Sequence, residues 1–228
     1  MERDMKKKII VAVLAIALLP LLAACAGTDV VGTESVNSFR KVLTAMDQNV
    51  SEDEMNGGWA LVSPDGTERF IWSRDYSSGN PHDVMLEFDA KPFLDAGLDP
   101  SKLAPGILVE DKIMVGSDLG DDKLNYKGDV TPLASYEKLV ELYRDRIKYH
   151  ADLDHYGVNV GDGNMFEWAK DMSTNDKDIV FVVDPAQFID AGVDPGNVEG
   201  WVFAKVKVMD ENGKPIEVDK FLKPFSIQ

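Results

Sequence analysis

Hydrophobic and polar positions follow one another along this chain in an order that occurs twice. Residues 84–88 and 179–183 are short apolar runs, and each is followed by a segment that contains Asp-Ala-Gly. When the 18 positions from Asp83 are aligned with the 18 positions from Asp178, eight are identical. We therefore predict a tandem duplication of one structural unit.

Each copy begins with apolar residues at helical spacing. In the second copy the pattern predicts a helix of about four turns with Ser135 as its N-cap, and a matching helix begins at Ser38. The apolar stripe consists of Tyr136, Leu139, Val140, Tyr143 and Ile147 in the second copy, and of Phe39, Val42, Leu43 and Met46 in the first.

A two-stranded hairpin is predicted next in each copy. Asp65-Gly66 and Asp162-Gly163 lie between apolar runs, and this dipeptide favours a tight turn because glycine accepts positive φ. The predicted strand pairs are 59–62 with 69–73 and 156–160 with 165–169. The aromatic pairs that should share one face, because they are two residues apart, are Phe70 with Trp72 and Phe166 with Trp168.

The repeated block supplies a third strand and a short helix. Asp89 and Asp184 follow the strand and are predicted N-caps of this helix. Gly97 and Gly192 stand where the helix should end in a left-handed residue.

A last strand is predicted near 107–115 in the first copy and near 201–208 in the second, with a further short strand at 215–218. Each unit then reads helix, hairpin, strand, short helix, strand. This order favours an α+β fold, a tandem duplication of a helix plus antiparallel-sheet unit.

The first residues of the chain carry a targeting signal. Lys6-Lys7-Lys8 precede an apolar run from Ile9 to Leu22, which is shorter than a membrane-spanning helix requires. The sequence Leu22-Ala23-Ala24-Cys25 resembles the lipobox of bacterial lipoproteins. The resemblance implies cleavage before Cys25, lipidation of its sulfur, and attachment to the extracytoplasmic face of the cell membrane.

These features together divide the chain into five segments. The predicted segments are a lipoprotein signal peptide at 1–24, a lipidated tether at 25–35, a first α+β repeat at 36–117, a linker at 118–132 and a second α+β repeat at 133–228.

The chain is strongly acidic, with a formal net charge of −16. Such a charge repels nucleic acid and anionic membrane surfaces, so we expect no nucleic-acid partner and a membrane attachment that depends on the lipid on Cys25. Cys25 is the single cysteine, so a disulfide within the chain is excluded.

One cluster has the composition of a metal site. His150, Asp152, Asp154 and His155 place two imidazoles and two carboxylates within six residues, and these are ligands that Zn²⁺ accepts. The cluster was expected to close the second long helix. Acidic loops at 118–122 and 171–178 are weaker candidates for Ca²⁺, because they lack the spacing of a helix-loop-helix calcium site.

Large aromatic residues supply the candidate ligand-binding positions. Trp59 and Trp201 are the candidates for facing solvent, because tryptophan is enriched at binding hot spots. The alternative for aromatic residues on strands is a place in the core. The motifs of serine hydrolases, zinc proteases and phosphate-binding loops do not occur in the sequence, and neither catalytic residues nor a cofactor are predicted.

We therefore expect a non-catalytic binding or interaction module whose ligand is a protein, a peptide or an envelope component. A Zn²⁺- or Ca²⁺-binding lipoprotein is the first alternative. A hydrolase that acts on envelope polymer is the second.

Overall fold

The computed structural model of the protein describes residues 31–76, 82–119, 130–172, 178–209 and 214–227. The predicted signal peptide, Cys25, the first part of the tether and most of the linker lie outside these ranges. Within them, no helix has the length and apolar character needed to cross a membrane.

Each copy contributes one long helix, one short helix and six strands. The elements of the first copy are α1 (residues 31–45), β1 (Val50–Asp53), β2 (Gly58–Val62), β3 (Glu68–Ser73), β4 (Val84–Asp89), α2 (Lys91–Asp95), β5 (Leu108–Val109) and β6 (Lys112–Ser117). Those of the second are α3 (Pro132–Leu142), β7 (Ile147–His150), β8 (His155–Gly161), β9 (Asn164–Ala169), β10 (Ile179–Val183), α4 (Ala186–Asp190), β11 (Val202–Met209) and β12 (Pro215–Phe225).

The strands form two six-stranded antiparallel sheets, one in each copy. Their orders are β1-β2-β3-β4-β6-β5 and β7-β8-β9-β10-β12-β11, so the copies have the same topology. The predicted α+β fold, built from a repeated helix and antiparallel-sheet unit, is confirmed. Both predicted hairpins are present as β2–β3 and β8–β9.

The end of the first unit differs from the prediction, because a hairpin takes the place of one last strand, and the last strand of the second unit is longer than predicted. In the first copy the chain turns at Glu110, whose φ is +56°, between β5 and β6. In the second copy β12, predicted as a short strand, has 11 residues and pairs with β10. The register explains this order, because Ile113 opposite Phe88 and Phe221 opposite Val183 complete the buried face.

The second long helix starts earlier and ends earlier than predicted. Its N-cap is Thr131, whose side chain accepts a hydrogen bond from the backbone N–H of Ala134, and Pro132 occupies the first turn, where proline is favoured. Ser135 lies inside the helix. Ile147 belongs to β7, so its apolar side chain reaches the core from a strand and not from a fourth helical turn.

The start of each copy differs from the prediction in two further ways. Residues 31–35, assigned to the tether, are already helical, and Ser35 is fully buried, so the folded part begins before residue 36. The short strands β1 and β7 were not predicted, because four residues with one or two buried positions give too weak a pattern.

The short helices end as predicted but begin differently. Gly97 and Gly192 have φ values of +103° and +106°, and a Cβ on either residue would meet the other's carbonyl oxygen at about 3 Å. The side chains of Asp89 and Asp184 pair mainly with Lys112 and Lys220 on the adjacent strand, although Asp184 also accepts from the N–H of Ala186.

The long helices exchange hydrogen bonds with the sheet of the opposite copy. Ser38 of α1 donates to the carbonyl of Lys170 at 2.9 Å and accepts from the indole N–H of Trp168 at 3.1 Å. Its counterpart Ser135 of α3 donates to the carbonyl of Ser73, and Trp72 donates to the carbonyl of Pro132. Each helix is therefore tied to the end of the other copy's third strand.

The two copies are related by an approximate local two-fold axis, because several residues contact their own counterparts. The ring pairs with their centroid separations are Phe39–Tyr136 at 4.1 Å, Phe70–Phe166 at 4.3 Å and Phe93–Phe188 at 5.1 Å. Two backbone hydrogen bonds are reciprocal: the N–H of Asp99 donates to Ala191, and the N–H of Asp194 donates to Ala96. Such self-complementary contacts are the property of a two-fold interface.

One large hydrophobic core follows from this arrangement. The inner faces of both sheets and both long helices belong to one cluster of buried side chains. A small second cluster of Ala60, Ile71 and Met85 lies on the opposite face of the first sheet. At the centre of the large cluster, Phe70 and Phe166 are stacked with an interplanar angle of 4°. The copies therefore do not have separate cores.

Replacing either ring of the central stack should destabilise the whole protein. For Phe70→Leu and for Phe166→Leu we expect a loss of about 1 to 2 kcal/mol each, because volume is nearly kept but the ring contact is lost. The double variant should lose about 0.5 to 1.5 kcal/mol less than the sum, because the two rings touch.

Denaturant unfolding of the four proteins measures this coupling, with Leu153→Ala as a control because Leu153 is 58% exposed. One transition is expected in each case. Additive losses, or two separate transitions, would contradict a shared core.

Candidate functional site

Equivalent sites occur in the two copies where the first turn of a long helix meets the edge of the opposite sheet. Each site pairs a cation with an aromatic ring. In the first copy the Arg74 guanidinium lies 5.2 Å from the ring centre of Trp59. In the second copy the Lys170 ammonium lies 6.0 Å from the ring centre of Tyr156.

A carboxylate from α1 completes the site of the second copy. Oε2 of Glu34 accepts hydrogen bonds from the Tyr156 hydroxyl at 2.6 Å and from the Lys170 ammonium at 2.9 Å. These two bonds lower the pKa of Glu34, so its side chain is an ionised carboxylate at neutral pH. Tyr149, opposite Tyr156 in the sheet register, adds a second ring beside Lys170.

The site of the first copy is instead an open groove of about 260 Å³, which we call the Trp59 groove. Thr131 stands at the position equivalent to Glu34, so α3 brings no carboxylate to Arg74. The lining residues are Glu52, Trp59, Arg74, Val130, Thr131 and Pro132.

Two hydrogen-bond donors of the Trp59 groove have no partner among the described residues. They are the buried indole N–H of Trp59 and the buried Nε–H of Arg74. Glu52 occupies only the Nη2 end of the guanidinium, at 2.6 Å. Both atoms are closed to solvent, so an acceptor reaches them only after a small movement of the surrounding groups. Because a buried donor without a partner costs about 1 to 3 kcal/mol, such an acceptor would offset part of that cost.

The second predicted aromatic position does not face solvent. Trp201 is 8% exposed, and its ring lies 5.0 Å from Phe88 and 5.5 Å from Phe93. It belongs to the core beside α2, because the chain enters β11 across the inner side of the sheet. Trp59 is half-buried, so the candidate ligand-binding surface depends on Trp59.

The two histidines of the predicted metal cluster lie on strands, not at the end of a helix. His150 of β7 and His155 of β8 are opposite each other in the register, with Glu167 of the neighbouring strand on the same face. Nδ1 of His150 is 3.1 Å from Oε1 of Glu167, and Nδ1 of His155 is 3.9 Å from Oε2. Glu167 was missed because it is far from both histidines in the sequence.

The two aspartates of that cluster do not join the histidines. Asp154 accepts a hydrogen bond from the Tyr149 hydroxyl at 2.6 Å, and Asp152 is exposed in the turn. Within the described ranges, no three acidic, histidine or cysteine side chains are placed to hold a metal ion together. The metal site stays a prediction without structural support.

Large apolar side chains that are exposed come from many separate elements. Among the described residues they are Met55, Leu94, Val109, Tyr149, Leu153, Ile189, Val202 and Ile216. These positions lie on turns, short helices and edge strands of both copies. The candidate binding surface is therefore the Trp59 groove and not a broad apolar face.

Comparison with known proteins gives no match, whether with family models, with curated proteins or with solved structures. The geometry of the site is consequently the basis for any functional assignment.

Sequence reasoning found part of the groove. It identified Trp59 as a candidate. It missed Glu34 and Thr131, because the first was assigned to the tether and the second to the linker. These two residues reach the sheets only because each long helix packs against the sheet of the opposite copy.

The histidine pair should make stability depend on pH with opposite signs at the two positions. The hydrogen bond with Glu167 raises the pKa of His150 above its usual 6.5, so His150 stabilises the folded state at low pH and loses this effect as pH rises through the raised pKa. Burial lowers the pKa of His155, so acid destabilises the folded state through His155.

We expect His150→Gln to be more destabilising at about pH 5.5 than at about pH 8.5, by less than about 1 kcal/mol, because part of the side chain is exposed. His155→Gln should show the reverse trend. Denaturant unfolding of both variants and the unmodified protein measures the two differences. Equal losses at both pH values would contradict the His150–Glu167 interaction.

Proposed function

We propose that the protein is a membrane-anchored extracytoplasmic lipoprotein that acts as a non-catalytic binding module, with the Trp59 groove as its ligand-binding site. The observation that carries the binding role is the pair of buried donors on Trp59 and Arg74 that lack a partner among the described residues. The ligand is a protein, a peptide or an envelope component. No nucleic-acid role is proposed, given the net charge of −16.

The composition of the groove supports recognition of a partner. Tryptophan and arginine are the residue types most enriched at binding hot spots, and here they are held together by the contact between ring and guanidinium. Tight packing on the core and an ion pair with Glu52 restrain both side chains before a ligand arrives. A restrained site loses less conformational entropy on binding.

The membrane anchor is supported by the sequence Leu22-Ala23-Ala24-Cys25. Five residues, 26–30, separate Cys25 from the first described residue of α1. At no more than about 3.6 Å per residue, this segment would keep the start of α1 within about 20 Å of the lipid.

Replacing Cys25 by serine should abolish lipid attachment. We expect Cys25→Ser to lose incorporation of labelled fatty acid and to leave the membrane fraction, because the anchor depends on acyl chains bound to that sulfur. Metabolic labelling and fractionation measure both effects. The matched control is Ser51→Cys, which restores a cysteine at an exposed position outside the lipobox. Labelling of Cys25→Ser at the level of the unmodified protein would contradict the anchor.

A photoreactive residue placed at Val130 should report a partner in the groove. In membranes of the native host we expect a discrete cross-linked product from Val130, because it lines the groove, and no such product from Leu153, which is exposed on a turn of the other copy. The product should be lost when Arg74→Ala is added. Products of equal yield at both positions, or a product that persists without Arg74, would contradict binding in the groove.

A further inference from the structure

The two equivalent sites of the duplicated fold hold their carboxylate in different places. In the second copy Glu34 of α1 inserts a carboxylate between Tyr156 and Lys170, whereas its counterpart Thr131 inserts a hydroxyl-bearing side chain that already caps α3. In the first copy the carboxylate comes from Glu52 of β1 and binds the Nη2 end of Arg74. The position of Glu34 is therefore without a carboxylate in the first site.

We propose that the Trp59 groove binds a carboxylate group of its ligand, in the position that the Glu34 carboxylate takes in the second copy. The inference rests on the proposed binding function and specifies the chemistry of the ligand. The carboxylate would accept hydrogen bonds from the Trp59 indole N–H and the Arg74 Nε–H, as Glu34 accepts from Tyr156 and Lys170.

The correspondence between the two sites extends to each participating residue. Trp59 is opposite Glu52 in the register of β1 and β2, and Tyr156 is opposite Tyr149 in that of β7 and β8. Arg74 and Lys170 each directly follow the third strand of their sheet. The ring and the cation therefore occupy matching places in both copies, whereas Thr131 caps α3 and Glu34 lies within α1.

Glu52 does not exclude a second carboxylate at Arg74. The same sheet contains an arginine with two carboxylate partners, since Arg69 binds Glu87 through Nη1 at 2.9 Å and Asp53 through Nη2 at 3.1 Å. A guanidinium has five N–H donors, and Glu52 takes only the Nη2 end of Arg74.

The acidic charge of the chain acts against an anionic ligand mainly at long range. At physiological ionic strength the screening length is about 8 Å, so the groups that line the groove decide the interaction. The groove has a volume of about 260 Å³, well above the roughly 30 Å³ that one water molecule takes in the liquid. A carboxylate-bearing side chain or chain terminus can enter it.

The test uses ¹⁹F NMR of the full-length protein labelled with fluorotryptophan. The chain contains four tryptophans, and Trp59→Phe identifies the signal of interest. The probes are N-acetyl-glutamate amide, which carries a side-chain carboxylate, N-acetyl-glycine, which carries a terminal carboxylate, and N-acetyl-glutamine amide, which is neutral. We expect a saturable shift of the Trp59 signal at about millimolar concentration with at least one carboxylate probe.

The two carboxylate probes distinguish an acidic side chain from a chain terminus as the source of the group. The neutral probe should leave the Trp59 signal in place. A shift of equal size with the neutral probe, or no shift with any probe, would overturn the carboxylate assignment.

Two variants at one position give a matched control. Thr131→Glu places a carboxylate where Glu34 stands in the second copy, so the Trp59 signal should move without ligand and should no longer respond to the probes. Thr131→Gln removes the same helix cap but adds no charge, and it should keep the response. If both variants respond alike, the correspondence with Glu34 is wrong.

The NMR experiment tests the carboxylate and the cross-linking experiment tests the binding function, so the two proposals can fail separately. A cross-linked product at Val130 that depends on Arg74, together with no response to carboxylate probes, would keep the binding function and reject the carboxylate. Absence of the Val130 product when Arg74 is intact would reject the binding function, whatever the probes do.

Discussion

The stacked contact between Phe70 and Phe166 is the interaction on which the rest of the fold depends. These rings are counterparts in the two copies, so their contact fixes the local two-fold axis on which the two sheets meet. The helix pair Phe39–Tyr136 and the short-helix pair Phe93–Phe188 continue the axis on either side. Because each half supplies the apolar surface that covers the other, burial of the aromatic side chains requires both halves.

The same two-fold symmetry makes the two candidate sites directly comparable. Matching placement of ring and cation in both copies lets one site serve as the reference for the other. At the equivalent helix position Glu34 lies within α1 and Thr131 caps α3, so the two sites differ in side-chain chemistry there. Specialisation of one half of a duplicated fold requires no new architecture, only a change at such a position.

Much of the fold could be predicted because the duplication doubled each local signal. The Asp-Gly turns, the paired aromatics of β3 and β9, and the left-handed glycines after α2 and α4 are local features, and the structure confirms them. The N-cap at Ser135 was wrong, because its hydroxyl serves a long-range contact with Ser73 that a local pattern cannot reveal.

The candidate site was less predictable for the same reason. Trp59 could be selected by residue type, but its partners come from three other segments that meet it only in the folded chain. Trp201 was misassigned because an aromatic residue at the start of a strand gives no sign of which side it faces. Because His150 was expected at the end of a helix, its pairing with Glu167 across three neighbouring strands was not predicted.

Because each long helix packs on the sheet of the opposite copy, this arrangement also determines the order of events during synthesis. The chain emerges from its N-terminus, yet Ser38 finds its acceptor only 132 residues later, at Lys170. Helix α1 cannot dock when it appears, and the first sheet must wait for α3. Contacts of such sequence separation slow folding and leave apolar surface uncovered in the meantime. In the newly made chain, the interval before β9 emerges is the period in which a chaperone would be most needed.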